Sequence, residues 1–457
     1  MGLKSLPASC ILNIEWTAEP SRDRLAASLV SNYLRLQGHK VVEGSIFDTY
    51  RLVCRYKPRL VFITNSIGAE LNHKIVKYLR KRKIPVISFI SEGNFFGDEE
   101  YLNQMIWGWN KDRILYENYQ LQWTERTVSL TCNLYPELRE KIAYSGAIGF
   151  DKYKIDINFD LKEKLLKEKF HNKFQHVIGV SGWAFNLFFP GSQTFEVYNK
   201  IYSREDIERF QKDHINFNNV LHAVIKRNPN KLFILKEHPA AKGEVETGFS
   251  SLSSFDNVYY VRNEIEIKDC ISISDFWLVY DSTTMLEAWL LSKPTAMINP
   301  NGEDFLRDNL YKGNPNLKTA NEICTAIQAI FEHGEFKEFD DLSGERIRLI
   351  ENVLQWSDGM NHVRAGNFIL NFLEKEETTT IVSESFTDKK EKYLRMIKNL
   401  VLSILYRVTK KNKYKRVFKV DDTKTFSNAL MQKQKKFYLD KNQELGSLRK
   451  LSVKFLN

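Results

Sequence analysis

Short, wholly apolar runs alternate along the chain with longer stretches whose apolar residues recur every three or four positions. That alternation predicts βαβ units and a mostly parallel sheet. The runs at 11–16, 59–63 and 84–90 read as strands: each is short and rich in branched residues, like a strand covered on both faces. After the first strand, Arg24 to Leu36 sets Leu25, Leu29 and Tyr33 on one helical face, and Gly38 marks the stop. A basic helix runs to about Arg82, and Ile142 to Tyr153 reads as a last strand and turn.

The pattern then restarts. His176 to Val180, Asn230 to Leu235, Asn257 to Val261, Phe276 to Tyr280 and Thr295 to Ile298 read as strands. Helices are expected near Phe217 to Ile225, at Met285 to Leu291, over Lys318 to Phe331 and over Glu345 to Leu373. The expected fold class is α/β, with two Rossmann-like, doubly wound domains facing a cleft. A chain of 457 residues is long enough for two such cores. The first domain is expected at 1–165 and the second at 174–375, with the Lys-rich stretch 160–173 joining them. A hydroxyl-rich linker at 376–387 leads to a basic tail at 388–457.

Charge divides the chain in the same way. The last seventy residues hold 20 Lys and Arg against 6 Asp and Glu, which leaves 47 against 51 for the rest. A near-neutral body argues against a nucleic-acid-binding core, and a basic tail argues for contact with an anionic surface. Within the tail, Leu394, Ile397, Val401, Ile404, Leu405 and Val408 recur at helical spacing between Lys and Arg clusters. This is the pattern of a helix lying in a membrane interface, or of one packing on the body or a partner. Lys433, Lys435 and Lys436 beside Phe437 and Tyr438 extend it. No run approaches bilayer-spanning length, and the N-terminus lacks a secretory apolar segment. Five scattered cysteines predict reduced thiols, with neither a disulfide framework nor a zinc site. The expected location is the cytoplasm, peripheral on the inner membrane.

Candidate chemistry sits where predicted strands end, the functional rim of an open α/β sheet. Asn230 to Leu235 runs into Lys236, Glu237, His238 and Pro239, and Pro239 keeps the imidazole extended from the strand end. Phe276 to Tyr280 runs into Asp281, Ser282, Thr283 and Thr284, whose hydroxyls and backbone N–H groups suit an anionic phosphate. Thr284 and Glu287 also have the spacing of a capping box, which ordinary helices use. In the first half, Ile84 to Ile90 ends in Ser91, Glu92, Gly93 and Asn94; a carboxylate there suits a base or nucleophile, and a solvated loop acid equally. Ser21 or Asp23 would cap the first helix, and Arg22 and Arg24 could grip a substrate carboxylate.

Taken together these motifs resemble the GT-B glycosyltransferases, within them the bacterial surface carbohydrate biosynthesis group and the CMP-dependent transferases of Kdo and sialic-acid-like nonulosonates. The matching pieces are the Arg22 helix opening, Glu92-Gly93, SGAIGFD at 145–151, VSGWAFNLF at the start of the second domain, KEHP and DSTTMLEAWLLSKP. The turn carries Ala147, Ile148 and Gly149 where that group shows Asn, Pro and Arg. The resemblance implies an acceptor-side first domain and a nucleotide-binding second one. It implies that His238 contacts the nucleotide phosphate together with Lys236 and Pro239. Ser282, Thr283 and Thr284 would donate hydrogen bonds to it, and Glu287 would reach the ribose. Glu92 and His238 would be the catalytic pair, with Arg22, Arg24, Gly93, Asn94, Ser181 and Asp281 around the substrate. The implied enzyme is a metal-independent glycosyltransferase of capsule, lipopolysaccharide or related glycans. It would need no cofactor beyond a CMP-linked donor, and would act on a glycan or glycolipid acceptor. A CDP-glycerol or CDP-ribitol transferase, a UDP-sugar 2-epimerase and a non-catalytic assembly scaffold are the alternatives.

Overall fold

In the computed structural model, the described residues are 10–19, 21–90, 99–156, 160–183, 185–191, 195–238, 249–262, 264–302, 308–376, 381–409 and 420–441. Expected site residues Glu92, Gly93, Asn94 and Pro239 lie outside them. The chain forms two compact units, one of residues 1–156 with 351–457, the other of residues 157–350.

The first unit is built on a six-stranded parallel sheet. Its strands are β1 (Cys10–Glu15), β2 (Lys40–Ser45), β3 (Leu60–Thr64), β4 (Val86–Phe89), β5 (Tyr119–Gln122) and β6 (Ile142–Tyr144). They lie in the order β2-β1-β3-β4-β5-β6. Alternation of side chains sends Ile11, Phe62, Ile87 and Leu121 to one face, against the helices Arg22–Leu36 and Asn361–Lys375. Leu12, Ile14, Val61 and Ile63 go to the other, against Thr49–Tyr56 and Glu70–Lys81. The helix Arg22–Leu36 starts where Ser21 Oγ accepts the Arg24 N–H at 3.1 Å, and the chain leaves it through Gly38 at φ +89°.

The long helix expected over 345–373 is two, Ser343–Leu354 and Asn361–Lys375, separated by backbone at positive φ at Gln355 and Gly359. The second packs on the first unit, so that unit's core, and not the second domain, owns residues 351–375. Gly366 permits this: a Cβ there would fall 2.3 Å from Tyr33 Cδ1, and Tyr33 OH donates to Asn367 Oδ1 at 2.6 Å. Asp151 completes the lock, with Oδ2 accepting the His362 N–H at 2.8 Å and lying 2.7 Å from His362 Nδ1. The SGAIGFD turn is therefore a structural joint. Gly146, at φ +85°, sits where a Cβ would collide with Asn361 Oδ1.

The tail divides between the two expectations, packing on the body in its second helix. The helix Lys424–Asp440 folds onto the first unit, burying Leu430 and Phe437. Gln434 Nε2 donates to the Leu29 carbonyl at 3.0 Å, and Tyr438 OH meets His362 Nε2. Phe437 and Tyr438 thus belong to the body, because the partners they need are displayed by the helices at 22–36 and 361–375. The helix Phe386–Thr409 behaves differently, with many exposed apolar side chains. No helix among the described residues is long and apolar enough to cross a membrane.

The second unit carries β7 (Val177–Ser181), β8 (Leu232–Lys236), β9 (Val258–Val261), β10 (Phe276–Val279), β11 (Thr295–Ile298) and β12 (Asn316–Leu317). They form a parallel sheet in the order β12-β11-β10-β7-β8-β9. Phe217, Leu221 and Val224 of the helix Arg204–Arg227 cover Ile178, Val180, Phe233 and Leu278.

Candidate functional site

Each sheet reverses its direction of winding once, between β1 and β3 in the first unit and between β7 and β10 in the second. At such a switch point the loops leaving two adjacent strands part to opposite faces, opening a crevice at the strands' carboxyl ends. In both units a side-chain hydrogen bond spans that point.

In the second unit Val279 pairs in register with Ser181, and Ser181 with Lys236, so three strand ends come level. The chain leaves β10 through Asp281 to Thr283 into the helix Thr284–Leu290. Thr284 Oγ1 donates to Ser181 Oγ at 3.0 Å, lies 3.0 Å from Ser282 Oγ, and accepts from Trp277 Nε1 at 3.2 Å. Three hydroxyls are thus joined in one chain. The capping box read from Thr284 and Glu287 does not form: Thr283 is the N-cap, in helical backbone, and its side chain makes no cap bond. Thr283 and Glu287 are half-buried beside the hydroxyl chain. Asp281 is buried, its Oδ1 accepting from Tyr311 OH at 2.8 Å, so it fixes the loop and is not open to substrate.

Lys236 differs from expectation. The residue is 8% exposed, and its ammonium donates to the Arg262 carbonyl, tying the ends of β8 and β9 together, not reaching outward. Its neighbour Glu237 was not anticipated. The residue is 3% exposed; its carboxylate accepts from Tyr260 OH at 3.1 Å and has the His238 N–H 3.4 Å away. Tyr260 OH in turn accepts from Arg262 Nε at 3.0 Å. His238 is half-buried at the exit of β8, with a second-row carboxylate behind its backbone. Gly182, leaving β7, gives its N–H to the Lys236 carbonyl at 2.7 Å; a Cβ there would meet Phe249 at 2.9 Å. A Cβ at this position would also stand 3.1 Å from the Lys236 carbonyl oxygen, so glycine eases the close approach of the β7 and β8 exits.

In the first unit, Glu15 ends β1 and Thr64 ends β3. The Thr64 N–H donates to Glu15 Oε1 at 3.1 Å, Asn13 Nδ2 donates to the same oxygen at 2.9 Å, and Thr64 Oγ1 bonds Oε2. Burial pushes the Glu15 carboxyl up to about 8, against the opposing effect of these hydrogen bonds. A small depression beside it is lined by Arg22, Asp23, Thr64, Phe89, Trp123 and Gly149. Gly149 admits the Arg22 stem, since a Cβ there would stand 2.9 Å from Arg22 Cγ. Exposed Arg22 thus belongs to the rim, but Arg24 does not. Arg24 is fully buried, with Nη2 3.0 Å from Glu43 Oε2 and Nη1 3.3 Å from Asn13 Oδ1. A guanidinium held inside the core is not available to a substrate carboxylate. Among the described residues no group of three or more His, Cys, Asp or Glu is placed to hold a metal ion.

No family model and no curated protein matches the chain. Solved structures do. A Listeria monocytogenes protein assigned as a UDP-N-acetylglucosamine 2-epimerase is 10% identical over 83% of this chain and 100% of its own, with a TM-score of 0.51. Staphylococcus aureus MnaA, solved with UDP, is 13% identical over 82% and 100%, at 0.49. A glycosyltransferase of Rickettsia africae is 13% identical over 81% and 100%, at 0.44. The first of these likenesses extends to the fold: this chain has a two-domain, GT-B-like α/β fold with a helical C-terminal region.

Proposed function

We propose that the protein is a sugar-nucleotide enzyme that binds the nucleotide at the carboxyl ends of β7, β8 and β10 and breaks the bond between phosphate and anomeric carbon. The observation that carries this reading is the hydroxyl chain of Ser181, Thr284 and Ser282 at the switch point, with His238 at the exit of the adjacent strand β8. A departing nucleotide gains negative charge, and preorganised hydroxyls with an imidazole stabilise it without metal. The Thr284–Ser181 bond holds the donors before substrate arrives, so little reorganisation accompanies reaction.

A UDP-activated sugar is the preferred substrate class. The fold is like that of the Listeria protein assigned as a UDP-N-acetylglucosamine 2-epimerase, and 2-epimerisation begins by weakening the same anomeric bond. Transfer of an acidic sugar from a CMP donor is the second reading. The exposed Arg22 in the first unit's depression favours it, because a guanidinium matches a sugar carboxylate. Glu92 is the candidate base in either reaction.

The test is incubation with UDP-N-acetylhexosamines and with CMP-linked acidic sugars, followed by proton NMR. Epimer formation from a UDP sugar supports the first reading. Release of CMP on addition of a glycan acceptor supports the second, and inertness toward both donor classes refutes the proposal.

A further inference from the structure

Among the described residues, the helix Phe386–Thr409 is held on the first unit by one side. Asn399 Nδ2 donates to the Phe47 carbonyl at 3.0 Å, Lys392 Nζ to Glu384 Oε2 at 2.6 Å, and the Arg395 guanidinium lies 5.7 Å from the Tyr50 ring centre. Glu384 itself is fixed by Tyr78 OH at 3.2 Å, so the anchor is built into the domain. Residues 395, 399, 402 and 406, at helical spacing, form this half-buried side.

Two positions further round, about 200° at 3.6 residues per turn, lies the opposite face. It carries Tyr393, Ile397, Leu400, Val401, Ile404 and Val408, all exposed, with Leu400 at 62% and Val408 at 76%. Isolated apolar residues on a surface need no explanation, but a continuous helical stripe does. Exposed Lys389 and Arg407 border one flank, Lys398 the other, and Lys390 stands at the N-terminal end. The helix holds six Lys and Arg against Asp388 and Glu391.

We infer that this helix is a docking surface for an acidic phospholipid bilayer, lying in the plane of the interface with its stripe in the acyl boundary. A narrow apolar stripe on a convex helix, bordered by cations, matches the two contributions to interfacial binding, apolar burial and attraction to anionic headgroups. The rigid seat on the domain fixes the stripe outward, so little ordering entropy is lost on binding. A second copy of the chain is the poorer occupant, because pairing would bring two net-positive faces together. The inference stands apart from the reading of the sugar-nucleotide site and fails or holds independently of it.

The experiment is co-sedimentation of the full-length protein with vesicles of equal parts phosphatidylcholine and phosphatidylglycerol, and with phosphatidylcholine alone. Wild-type protein should pellet with the mixed vesicles, weakly with the neutral ones, and be released by high salt. Ile397→Asp with Leu400→Asp should lower binding to the mixed vesicles by tenfold or more at unchanged melting temperature. Lys389→Glu with Lys398→Glu, which leaves the stripe intact, should abolish the preference for anionic vesicles. Absence of wild-type binding, or binding indifferent to both variants, overturns the inference. So does concentration-dependent dimerisation in light scattering that the aspartates abolish without any vesicle binding.

Discussion

Thr284 Oγ1 donates its proton to Ser181 Oγ across 3.0 Å, and this bond joins two residues 103 positions apart at the point where the second sheet changes its winding direction. The two hydroxyls come from different strand exits, so neither local segment could hold the other. The bond ties the two strand exits together, with Ser282 Oγ 3.0 Å from Thr284 Oγ1 beside it.

Thr284→Val keeps the shape of the side chain and removes the link. Nucleotide affinity should fall by about tenfold, or ~1.4 kcal/mol. Folding stability should fall by about 1 kcal/mol, because the Trp277 N–H loses its acceptor. Titration calorimetry and thermal melts read the two effects separately; unaltered affinity would show that the hydroxyl chain serves only the fold.

His238→Ala should lower turnover by about 10²-fold, the scale of a lost acid or electrostatic stabiliser, with the melting temperature nearly unchanged. His238 is only half-buried and adds little to the core. A collapse in melting temperature would make the histidine structural.

Glu15 gives the protein a pH signature. Its carboxyl is raised from the ordinary 4.5 to about 8 by burial, so between these values the folded state binds the proton that the unfolded state has lost. Stability contributed by the protonated form is complete below pH 4.5 and declines as pH rises through that window, by at most about 1.4 kcal/mol per unit. Glu15→Gln mimics the protonated acid: its Oε1 keeps the bonds from Thr64 and Asn13, and its amide can donate to Thr64 Oγ1. The variant should unfold with a flatter pH dependence and exceed wild type at pH 8. Parallel curves for the two proteins would contradict the assignment.

Leu430→Ala should cost about 2–4 kcal/mol of stability, since the side chain is 4% exposed within the first unit's core. A near-zero effect in denaturant unfolding would show that the Lys424–Asp440 helix is not part of that core.

How much of this was legible in the sequence follows from which partners a residue needs. Leu232 to Lys236 and Thr295 to Ile298 announce themselves, because burial on both faces demands an apolar run. β5 does not: YQLQ places Gln120 and Gln122 in the core, and only the fold supplies Gln122 with Thr131 Oγ1 at 2.9 Å. β2 hides likewise, because Glu43 is tolerable inside only once Arg24 and Arg35 reach it. The same pairing withdraws Arg24 from the site that its sequence position suggested. Ser181, Ser282 and Thr284 were readable as strand-end hydroxyls, but their connection requires β7 beside β10, and strand order is not written in local pattern. Glu15 carried a usable signal, a carboxylate closing an apolar run. Phe437 and Tyr438 looked like tail because the surfaces that bury them lie hundreds of residues upstream.

The most direct test of the nucleotide site is the thermal shift of the full-length protein with UDP, UMP, CMP, CDP and ADP in EDTA, measured beside Thr284→Val. A ligand that binds the folded state raises its melting temperature by mass action. The account predicts a rise with UDP that survives chelation and largely disappears in Thr284→Val. No shift with any nucleotide, or a shift that Thr284→Val leaves untouched, would contradict it.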